Sequence, residues 1–263
     1  MQAPIRRYVA LGDSSTEGLD DPKQGGGFRG WSERLATHLA EAHGPLEYAN
    51  LAVRGKDTRE VKEEQLSAAL ALEPDFATLF VGTNDVTART FHESQFTADL
   101  EEMLGTLRSI GAQTLSFTLP DLTPIMPLAR FVRGRVLALN DAIREVCERT
   151  DTTCVDFANE PVTSDARLWS PDRIHANSQG HERMAAAMAS ALGLAGHDTW
   201  NEPLAPRGRP GALSSVAAEV RWWTRYFAPW IGRSLTGRTS GDGIVPKYPT
   251  PIHWPLEAGP PGW

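Results

Sequence analysis

The chain has 263 residues, 41% of them hydrophobic and 22% charged, with a net charge of −7 and a pI of about 5.5. This length is ample for a full hydrophobic core, and the acidic balance gives no reason for nucleic acid to be a partner. No apolar run approaches the roughly 20 residues that cross a bilayer, so stable membrane insertion is not expected.

In chain order, strand-like and helix-like segments alternate. Tyr8–Leu11 reads as a buried strand, and Trp31 to His43 as a helix with Trp31, Leu35, His38 and Leu39 on one face before Gly44-Pro45 stops it. Leu46–Leu51 is a second strand and Thr58–Leu72 a helix. Phe76–Val81 is a third strand, apolar enough to be buried on both faces. Gln95–Ile110 is a helix, Gln113–Leu119 a fourth strand, and Pro120–Pro127 a loop with three prolines. Arg135–Arg149 is a helix, Thr153–Phe157 a fifth strand, and Ser178–Leu192 a last helix. Five strands joined by crossover helices predict an α/β fold with a parallel sheet covered on both sides.

The composition changes beyond Gly196. Ten of the 19 prolines and six of the eight tryptophans lie there. The expected organisation is a catalytic-sized domain over 1–196 and an extension over 197–263. The extension carries one helix at about 213–228 and an irregular remainder from Gly232 to Trp263. Its aromatic residues suggest docking on the core, on a second copy of the chain, or over a site as a lid; the arginines beside them suggest a membrane surface as a further reading.

Arg6 and Arg7 precede an apolar stretch too short for a signal peptide, so a cytoplasmic location is expected. Cys147 and Cys154 match no zinc or redox spacing and read as buried, reduced thiols. His38, His43, His92, His197 and His253 share no ligand spacing, and His181 reads as a surface or packing residue; no metal is expected. Gly25-Gly26-Gly27 lacks the lysine and serine of a phosphate loop.

The residues with chemical potential sit at strand ends. Ser14 falls just past the first strand, on the rim where α/β sheets place their sites. A serine hydroxyl needs a base to take its proton, and the base needs a partner to hold its tautomer. Asp172-Arg173-Ile174-His175 supplies both, since residues three apart on a helical turn project to one side. Gly55, after strand two, lets backbone approach a substrate closely, and Asn84, after strand three, offers an amide donor for a developing oxyanion. The loops after strands three and four, one holding Val86, Arg89 and Phe91 and the other Leu122, Ile125, Met126 and Leu128, are expected to shape the pocket, with Arg173 beside the site.

Gly12-Asp13-Ser14, Gly55, Gly82-Thr83-Asn84-Asp85 and Asp172-x-x-His175, in this order, resemble the signature blocks of the SGNH (GDSL-type) hydrolases over roughly residues 5–193. The resemblance implies a flavodoxin-like three-layer sandwich with strand order 2-1-3-4-5. It implies Ser14 as nucleophile, His175 as base and Asp172 as its orienter, with an oxyanion hole from Ser14, Gly55 and Asn84. It also implies a serine esterase that needs no cofactor and acts on a small-molecule ester; an apolar pocket with few polar anchors, shaped by the loops named above, would suit a short or medium acyl chain. An acyltransferase with the same triad and a non-catalytic binding module are the alternatives. Two positions depart from the blocks: Ser15 follows the serine in place of an aliphatic residue, and Arg173 stands where glycine is common. Thr16 holds the place of the second glycine of a Gly-x-Ser-x-Gly elbow, which disfavours the α/β-hydrolase fold.

Overall fold

The structure is a computed structural model that describes residues 4–206, 222–227 and 240–255. Its strands are β1 (Arg7–Gly12), β2 (Leu46–Asn50), β3 (Phe76–Phe80), β4 (Gln113–Phe117), β5 (Thr153–Val155) and β6 (Tyr248–Trp254). Its main helices are α1 (Ser14–Glu17), α2 (Gly30–His43), α3 (Thr58–Ala71), α4 (Thr83–Thr87), α5 (Glu93–Ser109), α6 (Arg133–Arg149) and α7 (Ser178–Ala191). The sheet order is β5-β4-β3-β1-β2-β6, parallel except for β6.

Strand alternation divides the core in two. Tyr8, Ala10, Tyr48, Phe76 and Phe117 pack with Trp31, Leu35 and Leu39 of α2 and with Met188 of α7. Val9, Leu11, Ala49 and Leu79 pack with Val61 of α3, Leu100 and Met103 of α5, and Ile143 of α6. Both faces are thus apolar, which is why the parallel strands read as near-continuous hydrophobic runs. Each fully buried large side chain contributes about 1.5–3 kcal/mol.

The sheet has six strands where the sequence predicted five. The sixth lies in the stretch expected to be irregular, and runs antiparallel to β2 with Leu46 opposite Trp254 and Tyr48 opposite Ile252. Pro249 and Pro251 mask it, since proline cannot donate to a ladder. An edge strand pairs on one side only and tolerates them. Lys247 fastens this return of the chain, donating to the carbonyls of Glu17, Phe28 and Arg29 and pairing with Glu33 at 2.7 Å. Of the helix expected at 213–228, only 222–227 lies within the described residues, where Trp223–Phe227 forms a π-helical turn. The rest falls outside them.

Smaller departures concern segment ends. The fifth strand stops at Val155 because the chain turns into a 3-10 segment at Phe157–Asn159, and the proline loop continues as another at Pro127–Phe131. Cys147 is buried but Cys154 is only half-buried, both as free thiols. No helix among the described residues is long and apolar enough to cross a membrane.

Candidate active site

The loops after β1, β2, β3 and β5 meet at one end of the sheet, the carboxyl end where parallel sheets leave a crevice. Gly12 sets the geometry of the first. Its φ is +147°, and a Cβ there would meet Phe80 O at 2.4 Å and Thr16 Oγ1 at 2.5 Å. Gln65 holds the same residue from α3: its Oε1 accepts from Gly12 N and its Nε2 donates to Gly12 O, both at 2.9 Å. Asp13 then caps α1 by accepting from Ser15 N, and Ser14 begins the helix with 8% of its surface exposed.

His175 Nε2 lies 2.8 Å from Ser14 Oγ, and His175 Nδ1 lies 2.6 Å from Asp172 Oδ2. Asp172 Oδ1 accepts from the backbone of Ile174 and His175 and from Ser170 Oγ at 2.7 Å. Burial pushes the Asp172 carboxyl up, but the His175 ring and those two N–H groups overcome it and hold it down at about 2. Burial pulls His175 down, and the Asp172 carboxylate more than reverses this, so its pKa ends above the usual 6.5. The pair is therefore set as an ionised carboxylate and a strengthened base.

The segment carrying this pair is a tight loop, not the helical turn read from its spacing. Ser170 N donates to His175 O, Arg173 N donates to Ser170 O, and Arg173 has φ +66°. That left-handed conformation favours glycine, which gives a physical reason for the glycine common at this position. An arginine there costs on the order of 1 kcal/mol of backbone strain.

Gly55 has φ +79°, and its loop is drawn against α1 by Arg54, whose N–H donates to Glu17 Oε2 at 2.9 Å while its guanidinium pairs with the same carboxylate. Among the described residues, neither the Ser14 N–H nor the Gly55 N–H has an intramolecular acceptor. Asn84, in the first turn of α4, donates from Nδ2 to Lys56 O at 2.8 Å and to Asp13 Oδ2 at 3.2 Å. Asp13 is fully buried although its residue type suggests exposure. Burial pushes its pKa up to about 7 against the Ser15 N–H and His175. Asp85 accepts from Thr58 N and Oγ1 and ties α4 to α3.

These residues line a cavity of about 1030 Å³ that includes Ser14, Gly55, Asn84, Asp172 and His175. Of the expected pocket residues, Val86, Leu122, Met126 and Leu128 line it, joined by Val136. Arg89, Phe91, Ile125 and Arg173 do not. Phe91 packs toward Phe96 of α5, Ile125 is half-buried in its own loop, and the Arg173 guanidinium lies 4.9 Å from the Trp222 ring. Among the described residues one group has metal-like spacing, Asp20, Asp172 and His175, with ligand atoms within 4.8 Å of one another. Asp172 and His175 already spend those atoms on hydrogen bonds.

Sequence reasoning missed Gln65, Ser170 and Trp222. Gln65 left a trace, since it interrupts the apolar stripe Val61–Gln65–Ala69 at a buried position. The other two have no local signal.

His181 is a packing residue. Trp31 N–H donates to its Nδ1 at 3.1 Å, so the proton sits on Nε2, which donates to Leu19 O at 2.8 Å. Burial pushes the ring down to about 4. Below pH 6.5 the unfolded chain takes up a proton that the fold refuses, so stability is full above 6.5 and is lost as pH falls toward 4. A shift of that size corresponds to about 3 kcal/mol. Urea unfolding at pH 7.5 and 4.5 should therefore show the advantage of wild type over His181→Gln shrinking by about 2–3 kcal/mol at the lower pH.

A doubly covered parallel sheet with a Ser-His-Asp cluster at its carboxyl rim defines a three-layer α/β/α hydrolase scaffold. The sequence matches the model of the GDSL-like lipase/acylhydrolase family over residues 10–183, so the chain belongs to that family and is an SGNH-type carboxylic ester hydrolase. No curated protein matches it in sequence. Solved structures share its fold. LAE5, described as an alpha/beta hydrolase enzyme from the metagenome of Lake Arreo, superposes with a TM-score of 0.60 at 23% identity, covering 72% of this chain and 95% of that one. The lipase/acylhydrolase from Enterococcus faecalis gives 0.58 at 22%, covering 71% and 95%. Axe2, an acetylxylan esterase from Geobacillus stearothermophilus, gives 0.58 at 18%, covering 72% and 94%.

Proposed function

We propose that the protein hydrolyses carboxylic esters of short to medium acyl chain through an acyl-enzyme on Ser14. The observation that carries this reading is the continuous chain Ser14 Oγ–His175 Nε2 and His175 Nδ1–Asp172 Oδ2, at 2.8 and 2.6 Å, opening into the cavity. Ser14 Oγ attacks the ester carbonyl while its proton passes to His175 Nε2, and Asp172 stabilises the imidazolium. The carbonyl oxygen, now an oxyanion, takes hydrogen bonds from Ser14 N–H, Gly55 N–H and Asn84 Nδ2. On collapse the bond between the carbonyl carbon and the alcohol oxygen breaks, and His175 returns its proton to the leaving oxygen. Water, deprotonated by His175, then attacks the acyl carbon; the acyl–Ser14 bond breaks, His175 returns the proton to Ser14 Oγ, and the acid leaves.

The long 3.2 Å bond from Asn84 to Asp13 is the one exchanged for the oxyanion. Asn84→Ala should lower kcat by about 10²–10³-fold with little change in KM, because the contact forms only as charge develops. The apolar wall of Val86, Leu122, Met126 and Leu128 supports an acyl chain over a polar one.

The deciding experiment combines a fluorophosphonate probe with a panel of p-nitrophenyl esters from acetyl to long chains. The expected outcome is a stoichiometric adduct on Ser14 and a kcat/KM maximum before the longest acyl chain. An adduct elsewhere overturns the mechanism, and rates that climb through to the longest chain overturn the chain-length assignment.

A further inference from the structure

The three remaining directions around an attacked carbonyl carbon are unequal, and the proposed reaction assigns two of them. The oxyanion turns toward Gly55 and Asn84. The leaving oxygen must lie within reach of His175 Nε2, since that nitrogen returns its proton. The alcohol therefore lies over the Asp172–His175 loop, and the acyl chain takes the third direction, toward Val86, Met126 and Leu128.

Beyond the triad, the alcohol side is lined by Asp20, after α1, and by residues from the last quarter of the chain. Trp222 Nε1 donates to the Asp172 carbonyl at 2.9 Å, and the Trp222 ring stands 4.9 Å from the Arg173 guanidinium. Trp222 is 4% exposed and lines the cavity, as do Arg225 and Tyr226. The following stretch returns to the site a second time. Gly241 lies so close to the oxyanion loop that a Cβ on it would sit 2.0 Å from Arg54 O. Lys247 and β6 then anchor the chain to the core.

We infer that Trp222, Arg225 and Tyr226 form the leaving-group wall of the active site, with Trp222 as the residue that selects the alcohol. This rests on the acyl-enzyme reading above. An indole held by its own N–H on the catalytic loop presents a rigid aromatic surface with few rotamers to freeze. Such a surface favours esters whose alcohol part carries a flat apolar ring, aryl or benzylic, over those of small alkyl alcohols.

The test uses the full chain and two ester series. One keeps the acetyl group and varies the alcohol through methanol, benzyl alcohol and 2-naphthol. The other keeps p-nitrophenol and lengthens the acyl chain. Relative to wild type, Trp222→Ala is expected to lose about ten-fold in kcat/KM on the benzyl and naphthyl esters, mainly through KM, with far less lost on the methyl ester. The shape of its acyl-chain profile should stay unchanged, and Trp222→Phe should keep most of the ring preference. Met126→Ala should do the reverse, reshaping the acyl profile only. Equal loss on every alcohol, or a reshaped acyl profile in Trp222→Ala, overturns the inference. Should Trp222→Ala not fold, Tyr226→Ala carries the test with the same alcohol-selective loss expected. Failure of the underlying reaction is distinguishable, since turnover would then survive in Ser14→Ala.

Discussion

Ser14→Ala is expected to reduce ester turnover by about 10⁶-fold in kcat, the scale on which removal of a serine nucleophile acts in a triad. The loss is this large because in the proposed reaction the three residues act as one unit: without Oγ there is no atom for His175 to deprotonate and no acyl-enzyme. For the same reason the double variant Ser14→Ala/His175→Ala should be scarcely worse than either single one. The fold should tolerate the change. Ser14 Oγ makes its contact with His175, whereas α1 is held by the Asp13 cap and by Gln65 on Gly12. The thermal midpoint should therefore stay near that of wild type while phosphonate labelling disappears. Activity within ten-fold of wild type would sink the nucleophile assignment.

Asp172→Asn is expected to lower kcat by about 10⁴-fold while leaving the loop in place. Asp172 Oδ1 can be replaced by the amide oxygen, which still accepts from Ile174 N, His175 N and Ser170 Oγ. The other carboxylate oxygen becomes an NH₂ facing His175 Nδ1. That nitrogen then accepts, the ring proton moves to Nε2, and the base toward Ser14 is lost. The pH profile gives a second readout. His175 must be neutral to accept a proton, and Asp172 holds its pKa above the usual value. Wild-type kcat/KM should thus fall on the acid side through an inflection above 6.5, with a plateau at higher pH. In Asp172→Asn the opposing effect of burial prevails and the inflection should move below 6.5. An unchanged inflection would show that His175 is not the titrating base.

Both experiments address residues that were legible from sequence, and the reason is local. Asp172 and His175 lie three residues apart, and Ser14 falls just past a strand. The strands themselves were legible because burial on two faces leaves an apolar run bounded by glycine or proline, as in Phe76–Phe80 after Pro74. The spacing misled only about the backbone. Three residues fit a helical turn, but Arg173 at φ +66° makes a tighter loop that reaches the same juxtaposition.

The pocket was legible only in part. Val86 and Met126 line the cavity, whereas Phe91 found a better partner in Phe96 and Arg173 in Trp222. Which way a loop side chain turns depends on what the rest of the fold offers it, and periodicity carries no record of that. The same holds for Ser170, which acquires meaning only between Asp20 Oδ2 at 2.5 Å and Asp172 Oδ1 at 2.7 Å.

By itself the sequence determined the parallel α/β core, the order of its strands along the chain and the residues grouped in the four signature blocks. These follow from interactions between near neighbours and from the burial pattern each strand must satisfy. Tertiary structure alone decided that a proline-bearing segment would close the sheet as β6, that Gln65 would brace Gly12, and that Trp222 would stand on the Asp172 carbonyl. Each joins residues distant in sequence, and each depends on an unpaired edge, a buried polar group or an open carbonyl that exists only once the core has formed.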